Sequence, residues 1–503
     1  MEKGIYMMII RKINTFVIEI GKPQSDNSTY NAHHSKIFRT FAREMKYDTH
    51  TLPSGLRVIC QQVASPVVYC GYAVKAGSRD EEPGDEGLAH FCEHVTFKGT
   101  ERRRSVQILN TLERVGGDLN AFTNKEDTVY YAAILSEHLP RAVDLLTDIV
   151  FHSTYPQSEI DKEATVICEE IESYNDSPSE LIYDEFDNLV FAGHPLGHHI
   201  LGSVERVRQF TTADALRFTR RHYRPENCVF FASGDIDFGR LVRLLEKALP
   251  EHSLVAGSRM QGAGSRVQGA GDMFSNCDNY CPNSQTPRLP DSQTPKLPDS
   301  QTPSISLAPC PPPPAPQPPI YVQQPRSTHQ AHVMVGALAY GAHHPLRYPL
   351  FVLNNIMGGP GMNSRLNLAL RERRGLVYAV ESNMTAYADT GVWSTYFGCD
   401  PHDVERCLKA VRRELARMRD VQLTPSQLAA AKRQLKGQLG VASDSRESFT
   451  LSFGRNYLHD GEERDLDVIV ERIDAVSAQQ IQTAAQEVFD PRREVVLCYS
   501  GGD

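Results

Sequence analysis

A proline-rich, low-complexity stretch interrupts this chain near its middle and limits how the chain can fold. Within residues 256–320 the tetrapeptide SQTP recurs at positions 284, 292 and 300, and the run PCPPPPAPQPP follows it. A segment of this composition buries too little apolar surface to offset the entropy that ordering costs. We therefore expect a disordered or extended linker with a globular part on each side of it.

The two globular parts resemble each other in outline. NCVFFASGD (227–235) ends the first part with a strand and a Gly-Asp turn, and EVVLCYSGGD (494–503) ends the second in the same way. TYPQSEIDKEA (154–164) has a counterpart in QLTPSQLAAAK (422–432). Two copies of one fold explain these matches most economically. The sequence therefore predicts an N-terminal extension at 1–45, a first domain at 46–250, a proline-rich linker at 251–320 and a second domain at 321–503.

Strand and helix patterns alternate within the first part. Runs rich in β-branched and aromatic residues predict strands at 55–60, 67–74 and 128–134. Apolar residues at helical spacing predict helices at 106–115, 138–150 and 158–175. We therefore expect a domain that combines strands with helices.

Charge and composition argue against several kinds of partner. The net charge of -9 and the pI near 6.1 disfavour nucleic acid, whose binding usually needs a basic face. No run of 18 or more apolar residues occurs, so we expect no membrane span, and Arg11 and Lys12 break the apolar start of the chain. The 11 cysteines, an odd number, fit a reducing compartment. We expect a cytoplasmic protein, or one of the mitochondrial matrix if the chain is eukaryotic.

Residues 90–94 form the pattern H-x-x-E-H, which is typical of a metal-binding site. On an α-helix, positions i and i+4 lie one turn apart on the same face, so His90 and His94 can bind one ion. Glu93 shares that face and can reach an attacking water without being a ligand, as in inverted zincin sites. The alternative is two ordinary histidines on a helix. The pattern favours a zinc centre with Glu93 as general base.

The segment around this pattern has the periodicity of an amphipathic helix. We predict a helix from about 86 to 98, with Asp85 and Glu86 suited to its first turn. Four residues form the apolar stripe that would pack on the sheet: Leu88, Phe91, Cys92 and Val95. The histidines adjoin this stripe, so they can face a cleft while the stripe is buried.

A catalytic zinc ion takes three protein ligands and one water, so a further residue is needed. The helix predicted at 158–175 begins with Ser158 and Asp161 in the manner of a capping box. Glu163 and Glu170 lie two turns apart on one face, so one can bind the metal while the other orients a histidine. The competing assignments are Glu169 and Glu172. A solvated acidic face is the alternative for this helix.

The segment GLAHFCEHVTFKGT (87–100) resembles the signature of the pitrilysin/insulinase family of metallopeptidases, in particular its processing-peptidase branch. The resemblance extends over about 46–503, apart from the insert at 256–320. It implies the α+β class, with two homologous α/β-roll domains that form a clamshell, each an antiparallel-rich sheet with helices packed on one face. It also implies one Zn²⁺ per chain, with Glu170 as the third ligand and Glu163 as the second glutamate typical of the family.

The resemblance also implies residues that contact a peptide. GGDLNAFTNKEDTVYYA (116–132) is similar to the family's substrate-binding edge strand, where the backbone of Asn120, Ala121 and Phe122 would pair with an extended peptide. In the second half, Arg371 and Tyr378 match residues that reach the substrate and the reacting carbonyl in relatives.

The second half resembles the family's inactive repeat. It has no H-x-x-E-H pattern, and Ala431 and Gln438 stand at the counterparts of Glu163 and Glu170. We therefore expect it to bind no zinc and to contribute to substrate binding instead.

These features together predict a zinc-dependent metalloendopeptidase that hydrolyses extended or unfolded peptides. Relatives enclose substrate between four such domains, which implies a homodimer or a heterodimer with a related chain. The first alternative is a non-catalytic or regulatory subunit of a processing-peptidase-like heterodimer. A metal-dependent hydrolase of small molecules, such as an amidase, and a docking scaffold that uses the proline tract are further alternatives.

Overall fold

The computed structural model describes residues 47–249, 319–326, 328–461 and 466–501. The predicted N-terminal extension and almost all of the predicted linker lie outside the described residues, and the domain boundaries stay predictions. The strands of the first half are β1 (Tyr47–Thr51), β2 (Arg57–Gln62), β3 (Val67–Val74), β4 (Asp118–Thr123), β5 (Thr128–Leu135) and β6 (Cys228–Gly234). Its helices are α1 (Leu88–Thr96), α2 (Ser105–Glu113), α3 (Leu139–His152), α4 (Gln157–Asn175), α5 (Pro178–Val190), α6 (Val204–Val207), α7 (Thr212–His222) and α8 (Phe238–Ala248).

The second half continues the same alternation of strands and helices. Its strands are β7 (Ile320–Arg326), β8 (Ala331–Ala339), β9 (Val377–Ala386), β10 (Gly391–Cys399) and β11 (Val495–Gly501). Its helices are α9 (Arg347–Gly358), a π-helical turn (Asn367–Glu372), α10 (Val404–Asp420), α11 (Pro425–Ala442), α12 (Arg446–Asp460), α13 (Leu466–Ala475) and α14 (Ala478–Val488). None of the described helices is both long enough and apolar enough to cross a bilayer.

Each half builds one sheet, and the two sheets repeat one topology. The strand order is β1-β2-β6-β3-β5-β4 in the first sheet and β7-β11-β8-β10-β9 in the second. With β1 set aside, the strands correspond one to one. The pairs β2–β6 and β7–β11 are parallel, and the other neighbours are antiparallel. This equivalence confirms the prediction of two copies of one α+β fold.

Strand β6 shows how the sequence places these strands. Its sequence CVFFASG is mostly apolar, and all of its residues are buried. Because successive side chains of a strand point to opposite faces, Phe230 belongs to the main core of the first half, whereas Phe231 belongs to a separate cluster. A strand that is apolar at both sets of positions must be covered on both faces.

The main core of the first half lies between its sheet and its own helices. It joins the Phe230 side of the sheet to apolar residues of α1, α3, α4 and α8. The metal-binding pattern therefore lies on a helix that is anchored directly on the sheet.

The opposite face of each sheet is covered by one helix of the other half, a feature that the prediction of helices on one face did not include. Leu451, Phe453 and Leu458 of α12 pack against the Phe231 side of the first sheet. In return, Phe186 of α5 packs in a cluster with β8 and β11 of the second sheet. The two helices are counterparts in the repeat, because α5 follows the long helix α4 and α12 follows the long helix α11.

One glycine permits the close approach of α12 to the first sheet. A Cβ atom added to Gly454 would lie 2.6 Å from the ring of Phe231. Side chains do not tolerate such a distance, so either α12 or the ring would have to move. The absence of a side chain at position 454 is therefore part of how the two halves fit together.

A smaller prediction, the capping box of Ser158 and Asp161, is wrong. Helix α4 begins at Gln157 directly after Pro156, and no side chain caps it. Ser158 is therefore already inside the first turn. Proline suits the position before the helix because its φ angle is already fixed near the helical value and because it has no backbone N–H group that would need a partner.

Candidate metal centre

Helix α1 carries the H-x-x-E-H pattern and is mostly buried. It spans Leu88–Thr96, within the predicted 86–98, and Gly87 precedes it in a left-handed conformation (φ 96°). His90 is 4% exposed, and the ring centres of His90 and His94 lie 4.6 Å apart. The two imidazoles thus lie together on one helix face, as their spacing predicted.

Glu81 stabilises the start of α1 from outside the helix. Its carboxylate accepts hydrogen bonds from the backbone N–H groups of Gly87 (3.0 Å) and Ala89 (2.7 Å) and from the ring of His198 (2.9 Å). An anion here satisfies orphan donors and complements the helix dipole. Asp85, predicted for the first turn, instead pairs with arginines of α6 and α7. No local sequence pattern pointed to Glu81.

Helix α4 brings two glutamates to the histidines of α1. Glu163 Oε1 lies 3.0 Å from His94 Nδ1. Glu170 Oε2 lies 3.3 Å from His94 Nε2 and 3.9 Å from His90 Nε2. Glu170 therefore faces both imidazoles at once, whereas Glu163 contacts the far side of His94.

The donor set of His90, His94 and Glu170 fits a zinc ion. Each residue offers one ligand atom, and these atoms all lie within 4.8 Å of one another. Because the Glu163 carboxylate accepts a hydrogen bond from His94 Nδ1, the proton is assigned to Nδ1, and Nε2 is left to coordinate. Two imidazole nitrogens and one carboxylate oxygen are typical ligands of a catalytic zinc site. His90 Nδ1 is buried and has no hydrogen-bond partner among the described residues.

The two histidines differ in how readily they take up a proton. Burial and the neighbouring His94 lower the pKa of His90 to about 4. Burial also opposes protonation of His94, but its hydrogen bonds with Glu163 and Glu170 outweigh burial and raise the pKa of His94 to about 9. His94 therefore has the higher proton affinity of the two imidazoles, and His90 favours its neutral form.

Lys98 engages the second oxygen of Glu163, and sequence reasoning did not identify it. Lys98 Nζ lies 2.6 Å from Glu163 Oε2. Burial opposes ionisation of Glu163, but the bonds from His94 and Lys98 outweigh it and lower the pKa of the carboxyl. Lys98 follows His94 by four residues, so the helical spacing that paired the histidines could also have indicated it.

Glu93 lies between α1 and the edge of the first sheet. Its Oε2 accepts a hydrogen bond of 2.8 Å from the Thr123 hydroxyl at the end of β4. β4 is the last strand of its sheet and packs beside α1. Asn120 and Ala121 on this strand are half-buried, and Phe122 is 6% exposed.

Among the described residues, no hydrogen bond or ion pair joins Arg371 or Tyr378 to the metal centre. Tyr378 is 84% exposed, so its ring is not packed against another part of the described chain. Arg371 pairs at 3.9 Å with its neighbour Glu372. The roles that the resemblance implied for these two side chains stay predictions.

Comparison with known proteins connects most of this chain to one family. The profile of the family described as Insulinase (Peptidase family M16) matches residues 57–204, and that of the Peptidase M16 inactive domain matches residues 209–435. A protein of Mycobacterium bovis named an uncharacterized zinc protease is 33% identical over 448 residues, which cover 88% of this chain and 90% of that one. The uncharacterized zinc protease YmxG of Bacillus subtilis is 29% identical, over 90% and 98% of the two chains.

Solved structures support the same assignment of the fold. A protease from Helicobacter pylori superposes with a TM-score of 0.73 at 19% identity, over 91% of this chain and 99% of that one. A peptidase M16 inactive domain from Pseudomonas fluorescens gives a TM-score of 0.72 at 18% identity, over 91% and 98% of the two chains. At this level of identity the likeness concerns the fold alone.

Proposed function

Because this chain belongs to the insulinase family of peptidases (family M16), we propose that it is a zinc-dependent endopeptidase acting on extended peptides. The observation that carries the proposal is the convergence of His90, His94 and Glu170 within 4.8 Å, with Glu93 on the same helix. The name zinc protease, which relatives from Bacillus and Mycobacterium bear, supports it.

In this proposal His90, His94 and Glu170 hold the zinc ion, and Glu163 orients His94. Zinc supplies Lewis-acid chemistry, which lowers the pKa of water to roughly 7 and polarises the scissile carbonyl. Glu93 acts as general base: it takes the proton of the attacking water and then passes it to the leaving amine. Its half-buried position beside the ligands suits both transfers.

The edge strand β4 supports an extended peptide as the substrate. Among the described strands it pairs with β5 alone, and it runs beside the helix that carries Glu93. A peptide that adds to this edge gains main-chain hydrogen bonds with little demand on its sequence. Asn120, Ala121 and Phe122 would set its register.

We further propose that a second chain, identical or related, brings Arg371 and Tyr378 to the reacting carbonyl as oxyanion-stabilising groups. The 84% exposure of Tyr378 supports a partner, since this ring has nothing to pack against within the described chain. Mixing inactive Glu93→Gln and Tyr378→Phe chains tests this proposal. Activity should return in the mixture if one site draws on two chains, and it should stay absent if each chain acts alone.

The decisive experiment pairs Glu93→Gln with His94→Ala. Glu93→Gln should retain stoichiometric zinc and lose about 10²- to 10⁴-fold in hydrolysis of an unstructured peptide, the usual contribution of a general base. His94→Ala should lose both zinc and activity. Zinc is measured by atomic absorption, and cleavage by mass spectrometry with and without chelator.

A matched pair on α4 tests the third ligand. Glu170→Gln should lose zinc, whereas Glu169→Gln, at the adjacent exposed position, should behave as wild type. Full zinc occupancy in Glu170→Gln would contradict the assignment. Zinc binding by the wild type without cleavage of any peptide would favour the regulatory subunit, and cleavage of small amides alone would favour the amidase.

A further inference from the structure

The turn between β4 and β5 is anchored by a helix of the second half. This turn, residues 124–127, ends in Asp127, which is 1% exposed. Its carboxylate accepts two hydrogen bonds from the Arg455 guanidinium, at 2.9 and 3.0 Å, and one from the His459 ring at 2.9 Å. Both partners lie on α12, so the second half holds this turn by a two-pronged, charge-assisted contact.

A second segment of the same half holds the turn from another side. Glu126 Oε1 accepts a hydrogen bond of 3.1 Å from the backbone N–H of Ala388. Arg79 bonds to Glu126 and also forms a bidentate pair with Asp389, at 2.8 and 3.1 Å. The turn is therefore fixed to two separate elements of the second half.

The turn is rigid within itself and leads directly back to β4. The backbone N–H of Asn124 donates to the Asp127 carbonyl at 2.8 Å, and the Asn124 side chain donates to the Asp127 carboxylate at 2.7 Å. Thr123, the last residue of β4, precedes Asn124. A displacement of Asp127 would therefore move Thr123 as well.

Thr123 in turn holds Glu93. Its hydroxyl is buried and lies 2.8 Å from Glu93 Oε2. The neighbouring Thr128 hydroxyl donates its one proton to the Ala76 carbonyl at 2.9 Å and lies 3.5 Å from the Thr123 hydroxyl, so as an acceptor for the Thr123 proton it is more distant than Glu93. An ionised carboxylate only accepts hydrogen bonds, so the Thr123 proton points at Glu93.

We propose that the second half, which lacks the H-x-x-E-H pattern, holds Glu93 in its working position through Arg455, Asp127 and Thr123. The inference rests on the proposed role of Glu93 as general base. Thr123, Asp127 and Arg455 are positioning residues, because they act on the reaction only through Glu93. In this proposal the second half positions the general base of the metal centre, in addition to any contact that it makes with substrate.

The first test removes one hydroxyl. Thr123→Val keeps the shape of the side chain and should lower kcat about 10- to 100-fold, the scale of a misplacement near 1 Å. The KM should stay within about twofold and zinc should stay stoichiometric, since neither β4 backbone nor ligands change. Thr123→Ser keeps the hydroxyl and should restore most of the rate. A wild-type kcat in Thr123→Val would overturn the proposal.

The second test loosens the anchor. Arg455→Lys keeps the charge but loses the bidentate fork, so kcat should fall, by less than in Thr123→Val. Because both changes act through one relay, the double variant should be no slower than Thr123→Val alone. If the fold-losses in kcat of the two single variants multiply in the double variant, the two residues act independently, which would contradict the relay. The matched control is Arg446→Lys, on the same helix but bonded to the Val67 carbonyl instead, which should leave kcat unchanged.

Amide hydrogen exchange measures how firmly α12 holds the β4–β5 turn, and it does not depend on catalytic activity. In metal-free protein, Arg455→Lys should speed deuterium uptake in peptides that cover residues 118–128, whereas Arg446→Lys should not. Unchanged uptake in Arg455→Lys would overturn the proposed anchor. A wild-type chain that cleaves no peptide would overturn the proposed function, and this exchange result would still report on the anchor itself.

Discussion

Two glutamates flank His94, and their other contacts decide which of them faces the metal. Both oxygens of Glu163 are engaged, one by His94 and the other by Lys98. Glu170 instead points between the two imidazoles. The ammonium group of Lys98 thus keeps Glu163 in the orienting position, from which a ligating histidine gains its tautomer and direction.

We expect Lys98→Met to weaken zinc binding about 10-fold or more, the scale of losing support behind a ligand. The apolar stem is kept, but Glu163 loses the cation that fixes its second oxygen. Competition with a fluorescent zinc chelator measures the dissociation constant. Lys162→Met is the control, because Lys162 pairs with Glu159 on the exposed side of α4. Equal affinities in the two variants would contradict this role.

Local spacing accounts for what the sequence could predict about the centre. His90, Glu93 and His94 lie within five residues, and two helical turns relate Glu163 to Glu170, so one periodicity indicates all of them. Glu81 reaches α1 from the irregular segment before the helix, and Thr123 reaches it from strand β4, which follows later in the sequence. Such contacts depend on how elements pack, and no periodicity within one element encodes them.

At the scale of elements, α12 lies so close to β6 that residue 454 has no room for a side chain. Gly454→Ala would place its Cβ 2.6 Å from the Phe231 ring. We expect it to destabilise the protein by about 1–3 kcal/mol, as overpacked sites do. Urea unfolding measures the change. Gly437→Ala on α11 is the control, because in the described part of the chain no atom beyond its own helix backbone and adjacent residues lies within 4 Å of the added Cβ.

The control should be as stable as wild type or slightly more so, since alanine is favoured over glycine in a helix by about 1 kcal/mol. If both variants unfold alike, close packing at position 454 is not limiting.

The contact between α12 and the β4–β5 turn should make stability depend on pH. Burial opposes ionisation of Asp127, but Arg455 and His459 outweigh it and lower the pKa of this carboxyl. A lowered pKa in the folded state contributes stability above the unfolded pKa of about 3.9, and this contribution is lost as pH falls further. The difference in unfolding free energy between wild type and Asp127→Asn should therefore shrink from pH 6 to pH 3. A constant difference would contradict the ion pair.

The sequence could predict the repeat but not the exchange of helices between its copies. Matching strands at 227–235 and 494–503 indicate one topology twice. Burial of both faces of β6 follows from its apolar sequence, but that sequence does not say which helix covers which face. α12 itself, RESFTLSFGRNYLHD, mixes polar and apolar residues without a clear stripe. Where α12 packs therefore depends on the surface of the sheet that it contacts.

For the whole molecule, the exchanged helices should hold the halves together without a covalent link. Apolar side chains of α12 and α5 are buried on the opposite sheets, and the buried Asp127 adds an ion pair with the half-buried Arg455. A site-specific protease cut introduced within residues 256–320 should therefore leave one particle in gel filtration, with zinc and peptidase activity retained. Separation of the fragments without denaturant would contradict this expectation.

The exchange of helices also determines when, during synthesis at the ribosome, the first sheet can be fully covered. The Phe231 side of the first sheet stays exposed to water until α12, which ends at Asp460, has emerged. Nascent chains that have completed the first half alone thus present an uncovered apolar surface, a state prone to aggregation. This face of the first half must wait until residue 460 has been translated before it is covered, so we expect chaperones that shield apolar surfaces to assist its synthesis.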